Sequence, residues 1–237
     1  MSIKFTRASS QYCYVSDDIG ITGLPLTFFC WAYKTSDTNT RGVLFTHRND
    51  TADSKRFQFQ QYSDANVMRF HSNQQFVRNA DLSQDPLNTW CGWIGQINTT
   101  DYYPYLYTSV GNASVSSTVA YQTNDAPRLY IGSTDTPDVY WDGYIEHFAV
   151  WNIALSSDDR TALLTNKANP LTVQPDNLVA YWPFTDSGSL FDDVAHETTL
   201  TLTPSASAPV YDATSAGVDP PPSTGPDINY DYNLVIS

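Results

Sequence analysis

The stretch YWDGYIEHFAVWNIALSSDD, residues 140–159, decides how this chain is read. Its first half is aromatic and alternating, and its second half is rich in Ser and Asp. Ile145, Phe148 and Val150 are the expected core residues. From Phe148 to Val150 the period is two, as in a strand with one face on the core. From Ile145 to Phe148 the period is broken, and an extra residue between two inward side chains marks a β-bulge. LSSDDRTALLTNK, 155–167, then reads as one short helix. Ser156 can cap it, with Asp159 at capping-box spacing. Asp158 and Asp159 fall at the positive end of the helix dipole and Lys167 near its negative end, while Asn169-Pro170 closes the helix. Architecture explains the acidic pair, and no catalytic role is assigned to it.

Working outward, alternating segments recur between turn-rich breaks. IKFTR (3–7) and QYCYV (11–15) read as a hairpin around Ala8–Ser10. LTFFCWAYK (26–34) carries Leu26, Phe28, Cys30 and Ala32 on one face and Thr27, Phe29, Trp31 and Tyr33 on the other. Both faces are apolar, so this strand is expected to be covered on both sides. VLFTHR, RFQFQQY and NVMRFHS follow as short strands, with Phe57 and Phe59 inward and Gln58 and Gln60 outward. NTWCGWIGQI and YYPYLYTSV come next; Pro104 in the second predicts an edge strand or a bulge. PRLYIG, NLVAYWPF and TTLTLTPS complete the set. About twelve strands and one helix imply an all-β fold, two antiparallel sheets stacked as a jelly-roll sandwich over residues 1–214. A Pro-rich linker and a C-terminal extended arm occupy 215–237. In the arm, Ile228, Tyr230 and Tyr232 share one face. An exposed strand of this kind is suited to join the sheet edge of a neighbouring subunit, so the arm is read as an assembly element.

Composition removes several function classes. The net charge is −13, from 25 acidic and 12 basic side chains. Such a surface repels phosphate backbones and anionic membranes, so nucleic acid is not an expected partner. No apolar run is long enough to span a bilayer, so no membrane insertion is expected. MSIKFTRASSQYCYV alternates like a strand and lacks the apolar core of a signal peptide. Cys13, Cys30 and Cys91 read as buried thiols, with one pairing left open. The four His are scattered without zinc-site spacing. No Gly-x-Ser-x-Gly or phosphate-cradling loop occurs.

At this point a resemblance enters. WDGYIEHFAVWNIALSSDDRTALL resembles the end of laminin-G-like and pentraxin domains, through Gly143, Ile145, Trp151, Ala154, Leu155 and Ser156. IKFTRASSQYCYV, LTFFCWAYKTSDTNTRGVLFTH and PRLYIGS resemble earlier strands of the same family in order. The resemblance covers residues 1 to about 185 and implies the concanavalin A-like lectin/glucanase sandwich. NPLTVQPDNLVAYWPF with the later Leu-Thr-rich strand is similar to stretches in laminin-G-like proteins of tailed-phage virions.

The resemblance frames the site residues. Glycan hydrolases of this fold carry Glu-x-Asp-x-x-Glu on one strand, and this chain has no such cluster. Glu146 stands alone; Asp192, Asp193, His196 and Glu197 lie in a turn without strand spacing. No catalytic residue is therefore assigned, and no enzyme activity is expected. Pentraxin and laminin-G relatives often bind calcium through loop Asp and Asn oxygens, which implies Asp53, Asp135 and Asp138 as metal ligands here. Asp53 is followed by Ser54 where pentraxins have Asn, and solvated loop acids remain the plainer reading. Tyr102, Tyr103, Tyr105 and Tyr107 are candidates for glycan or partner contact, since aromatic faces stack on sugar rings and Tyr suits interfaces. The expected function is a non-enzymatic phage virion structural protein, a capsid decoration or tail appendage assembled in the bacterial host cytoplasm. Its expected partners are other virion proteins, identical subunits and cell-surface glycan. The alternative is a soluble calcium-dependent lectin.

Overall fold

The computed structural model describes residues 2–15, 19–21, 23–36, 41–49, 56–62, 67–72, 75–78, 87–99, 104–113, 127–134, 139–184 and 203–218. Among these, two sheets face one another. The larger has eight strands in the order β10 (Gly111–Ala113), β9 (Pro104–Thr108), β8 (Trp90–Ile97), β3 (Leu26–Lys34), β12 (Gly143–Trp151), β1 (Ser2–Phe5) and β15 (Val210–Asp212), with β13 (Leu178–Trp182) also paired to β12. The smaller has seven, in the order β14 (Thr203–Pro204), β2 (Cys13–Val15), β11 (Pro127–Ile131), β4 (Gly42–Asn49), β5 (Arg56–Tyr62), β6 (Val67–Ser72) and β7 (Gln75–Arg78). The strand pairings are antiparallel, and the architecture is the expected jelly-roll sandwich.

The expected bulge lies in β12. Its register with β3 runs from Gly143↔Lys34 to Glu146↔Trp31 and resumes at Ala149↔Phe29. His147 and Phe148 together oppose Cys30, and His147 takes up the left-handed region with φ 56°. The bulge turns both Ile145 and Phe148 toward the inter-sheet core. It also divides the other edge of β12 between two partners. Residues 143–145 pair with β1, and 148–151 pair with β13. Gly143 is required at the start of this strand, because at its φ of 150° a Cβ would lie 2.0 Å from the Tyr33 carbonyl oxygen.

The inter-sheet core is aromatic. Phe45 packs on Phe28 at 4.9 Å and on Phe148 at 5.0 Å, and Phe148 reaches Trp182 at 6.0 Å. Tilted and edge-on ring contacts add to the area term of burial. His47 is completely buried between Phe28 and Phe57, and among the described residues neither of its ring nitrogens has a hydrogen-bond partner. Burial therefore holds its pKa down at about 4. Cys13, Cys30 and Cys91 are buried free thiols.

The double coverage expected of β3 is present. Leu26, Phe28, Cys30 and Ala32 enter the inter-sheet core, while Phe29 and Trp31 lie under a third layer. That layer consists of helix α1 (Ser157–Leu164), 3-10 turns at Pro170–Thr172 and Pro175–Asn177, and residues 215–218. Gly92 on β8 lets α1 come close, since a Cβ there would meet Leu164 Cδ2 at 2.8 Å and Trp31 Cζ2 at 3.2 Å.

Several expectations are corrected. β1 and β2 do not form a hairpin; they lie in opposite sheets, joined by a 3-10 turn at Arg7–Ser9. Ile3, Phe5, Cys13 and Val15 all point into the one core between the sheets, so alternation alone could not tell the two sheets apart. Pro104 does not mark an edge. It is the first residue of β9, where a missing N–H is tolerated, and β9 is flanked by β8 and β10. Gln58 and Gln60 face away from the core yet are buried, and Gln58 Nε2 donates to Thr46 Oγ1 at 3.1 Å. α1 ends at Leu164, so Lys167 is no partner of its dipole. With a left-handed backbone, Lys167 instead lays its ammonium over the Trp31 ring and donates to the Ala216 carbonyl. β15 is too short to read from alternation, and Ala216 and Val218 pack on the outer layer.

Replacing Phe148 by Ala is expected to cost about 3–5 kcal/mol, read by chemical denaturation, because the cavity opens between Phe45 and Trp182. Phe148→Asp is expected to leave no folded domain. His47 predicts a pH effect. Above pH 6.5 its ring is neutral in both states; below that, the unfolded chain takes up a proton that the folded chain refuses until about pH 4. Stability should therefore drop by about 3 kcal/mol as pH falls through that window. His47→Phe should remove this part of the drop.

Candidate functional site

β9 alternates Pro104, Leu106 and Thr108 inward with Tyr105 and Tyr107 outward. The two outward rings are half-buried and parallel, 8° apart in plane with centroids 6.2 Å apart. They stand on the outer face of the eight-stranded sheet, where α1 lies across the neighbouring strand β8. The helix places Arg160 so that its guanidinium carbon sits 4.1 Å above the Tyr107 ring. The same guanidinium donates through Nη1 to the Leu155 carbonyl. Between β9, its following turn and α1 is a cleft of about 210 Å³. It is lined by Arg160, the apolar Leu164 and the hydroxyl-bearing residues Tyr107, Thr108, Ser109, Ser157, Thr161 and Thr165.

Local chemistry sets the position of the helix. The Ser156 hydroxyl accepts the Asp159 N–H at 3.2 Å, and Asp159 Oδ2 accepts the Ser156 N–H at 3.0 Å, which is the expected capping box. Burial opposes the Asp159 charge, but hydrogen bonds from Ser156 and Gln174 outweigh it and hold the carboxyl below its ordinary range. Upstream, Thr27 Oγ1 donates to the Ile153 carbonyl at 2.7 Å and accepts the Leu155 N–H at 3.3 Å. That clamp ties the 153–155 loop to β3. It also fixes Leu155, whose carbonyl orients Arg160.

A second constellation lies at the bulge. The Glu146 carboxylate is 1% exposed and accepts the Ser215 hydroxyl at 3.0 Å and the Ala216 N–H at 2.6 Å, with His147 Nε2 3.5 Å away. His147 Nδ1 is hydrogen-bonded to the Tyr181 hydroxyl. Burial works against the Glu146 charge, but His147 and the Ala216 N–H prevail and hold the carboxyl below its ordinary range. Burial, with Glu146 nearby, pushes the Tyr181 phenol up. A Glu–His pair can move protons in an open cleft, but here residues 215 and 216 close over it. The arrangement is a latch that fastens residues 215 and 216 to the sandwich.

Of the residues singled out in the sequence, Tyr105 and Tyr107 are brought to the cleft. Tyr102, Tyr103, Asp53, Asp135, Asp138, Ile228, Tyr230 and Tyr232 lie outside the described residues, as do Asp192, Asp193, His196 and Glu197. Among the described residues, no group of three His, Cys, Asp or Glu could hold a metal ion. Arg160 and the Glu146–Ser215 latch were not anticipated. No local spacing connects residue 107 with 160, or 146 with 215.

Residues 7–159 match the family described as the concanavalin A-like lectin/glucanases superfamily. The chain belongs to this superfamily. No curated protein sequence matches it. Solved structures of the superfamily fold include a candidate carbohydrate-binding protein of Bacteroides ovatus, with TM-score 0.61 and 13% identity over 86% of this chain. The chain spans 57% of that protein's length. The CBM40 of the Ruminococcus gnavus IT-sialidase, bound to α2,3-sialyllactose, has TM-score 0.55 and 13% identity, covering 69% of this chain and 95% of its own. Mouse laminin α1 domains LG4–5 have TM-score 0.50 and 15% identity, covering 63% of this chain and 40% of theirs. At these identities the likeness establishes the shared concanavalin A-like fold.

The latch carries a prediction for this member of the superfamily. Glu146→Gln keeps the shape and removes the charge, and should cost about 2–3 kcal/mol. Hydrogen exchange of residues 210–218 should accelerate. Because the folded carboxyl is held below its unfolded value, its contribution is complete above the ordinary carboxylate range. It is lost as pH falls through the folded value. The acid-induced loss should shrink in the variant.

Proposed function

We propose that this chain is a non-catalytic glycan-binding module displayed on a tailed-phage virion, as a capsid decoration or tail appendage. The observation that carries the reading is the Tyr105–Tyr107 pair beside the hydroxyl-lined Arg160 cleft. Aromatic faces accept the C–H face of a sugar ring, while hydroxyl and guanidinium groups exchange hydrogen bonds with its oxygens. The superfamily contains lectins, which supports the same reading. Glycoside hydrolysis needs two carboxylates flanking the bond. Among the described residues no carboxylate lines this cleft, and the buried Glu146–His147 pair is closed by the latch. The virion setting is supported by the likeness of residues 169–184 to phage laminin-G-like proteins, and by the alternating sequence of residues 228–235.

On a glycan array, and on polysaccharide from a bacterial host, the protein is expected to retain specific sugars. Tyr107→Ala should weaken that binding at least about tenfold, which corresponds to about 1.4 kcal/mol, with little change in thermal stability. Unchanged binding would move the site elsewhere. Loss of binding in a calcium chelator would favour the calcium-dependent lectin and bring Asp53, Asp135 and Asp138 into the site. Mass spectrometry of purified virions tests the setting. Deleting residues 219–237 should leave the sandwich folded and remove it from the particle.

A further inference from the structure

We infer that the cleft between β9 and α1 selects a sugar ring bearing a negative charge, and that Arg160 reads that charge. This rests on the glycan-binding reading and narrows it. The chain has 25 acidic and 12 basic side chains, so acids outnumber bases about two to one. Yet among the described residues Arg160 makes no ion pair, and its partners are the Leu155 carbonyl and the Tyr107 ring. Asp159 acts on it through its field, without an ion-pair contact. Asp159 is engaged by Ser156 and Gln174. Asp158 is two positions away on the helix, a spacing at which side chains do not face one another.

The guanidinium is also held in place before any ligand arrives. Stacking on Tyr107 fixes its plane, and one N–H is committed to Leu155. Most of its donors remain for the cleft it lines. A planar fork held this way matches a carboxylate or sulfate oxygen pair, and charge-assisted bonds of this type are about twice as strong as neutral ones. The Ser109 hydroxyl accepts the Gly92 N–H and the Thr161 hydroxyl donates to the Ser157 carbonyl, and each keeps capacity for one more bond to a ring hydroxyl. The cleft's volume of about 210 Å³ is below the roughly 300–1,000 Å³ of sites for drug-sized ligands. It therefore suits one ring, such as a terminal or branch sugar, rather than a run of chain. The strongly negative remainder of the surface repels polyanions that lack this fit.

The test is a nuclear magnetic resonance titration of the whole chain with methyl glucuronide, glucose sulfate and methyl glucoside. The charged sugars are expected to bind at least about tenfold tighter than methyl glucoside, with shifts at Tyr107, Arg160 and Thr161. Comparing glucuronide with glucose sulfate shows whether carboxylate or sulfate is the preferred anion. Arg160→Gln should erase the preference for charge, read as the ratio of the charged sugars' affinity to that of methyl glucoside in the same variant. Arg160→Lys should restore it only in part, because an ammonium lacks the fork. Equal binding of charged and neutral sugars at the cleft would overturn the inference and leave the glycan reading standing. Binding of the charged sugars with no shift at these three residues would also overturn it. Failure of all three sugars to shift these residues would overturn both. Should Arg160→Gln fail to fold, shift mapping on the unaltered protein still decides.

Discussion

The sandwich depends on one inserted residue in its central strand. β12 must present Ile145 and Phe148 to the same core, which a regular strand cannot do at a separation of three. His147 absorbs the difference by entering the left-handed region, and its N–H finds the Pro183 carbonyl at 3.2 Å instead of a ladder partner. The bend in the strand then lets β1 occupy one half of its edge and β13 the other. Without the bulge, Phe148 would turn outward and Phe45 would lose its ring contact. The pairing partners on that edge could not change where they do.

The bulge also creates the outer layer's polar centre. Glu146 and His147 face away from the core, under the segment that leads to the arm. A carboxylate placed there would be costly if it were unpaired. It is stabilised by the Ser215 hydroxyl, the Ala216 N–H and His147, and it ties residues 215 and 216 to β12. Lys167 strengthens the same point from the other side by holding the Ala216 carbonyl while it covers Trp31.

The cleft is a product of the same layer. A two-layer sandwich would leave Phe29, Trp31 and Ile94 in water; α1 and the 3-10 turns cover them. Gly92 allows the helix to approach until Leu164 meets the strand. At that distance Arg160 reaches the Tyr107 ring, and the hydroxyls of both elements enclose one small space. The packing that covers the sheet also builds the site. A cation that would otherwise sit on a solvated helix is drawn onto an aromatic face.

The sequence by itself determined whatever depends on local period or local hydrogen bonding. The bulge followed from the spacing of Ile145, Phe148 and Val150. The capping box followed from Ser156 and Asp159, and the double coverage of β3 from its two apolar faces. Tyr105 and Tyr107 could be nominated because alternation puts them on one face of β9. Tertiary structure decided everything that joins distant segments. β1 and β2 share the same alternation and yet lie in opposite sheets, because inward side chains of either sheet enter the same core. Gln58 and Gln60 alternate as outward residues, yet the fold buries them. Arg160 and Tyr107 are 53 positions apart, and Glu146 and Ser215 are 69 apart. No periodicity reaches that far. Such contacts come from sheet order and layer packing, which a one-dimensional pattern of side chains does not encode.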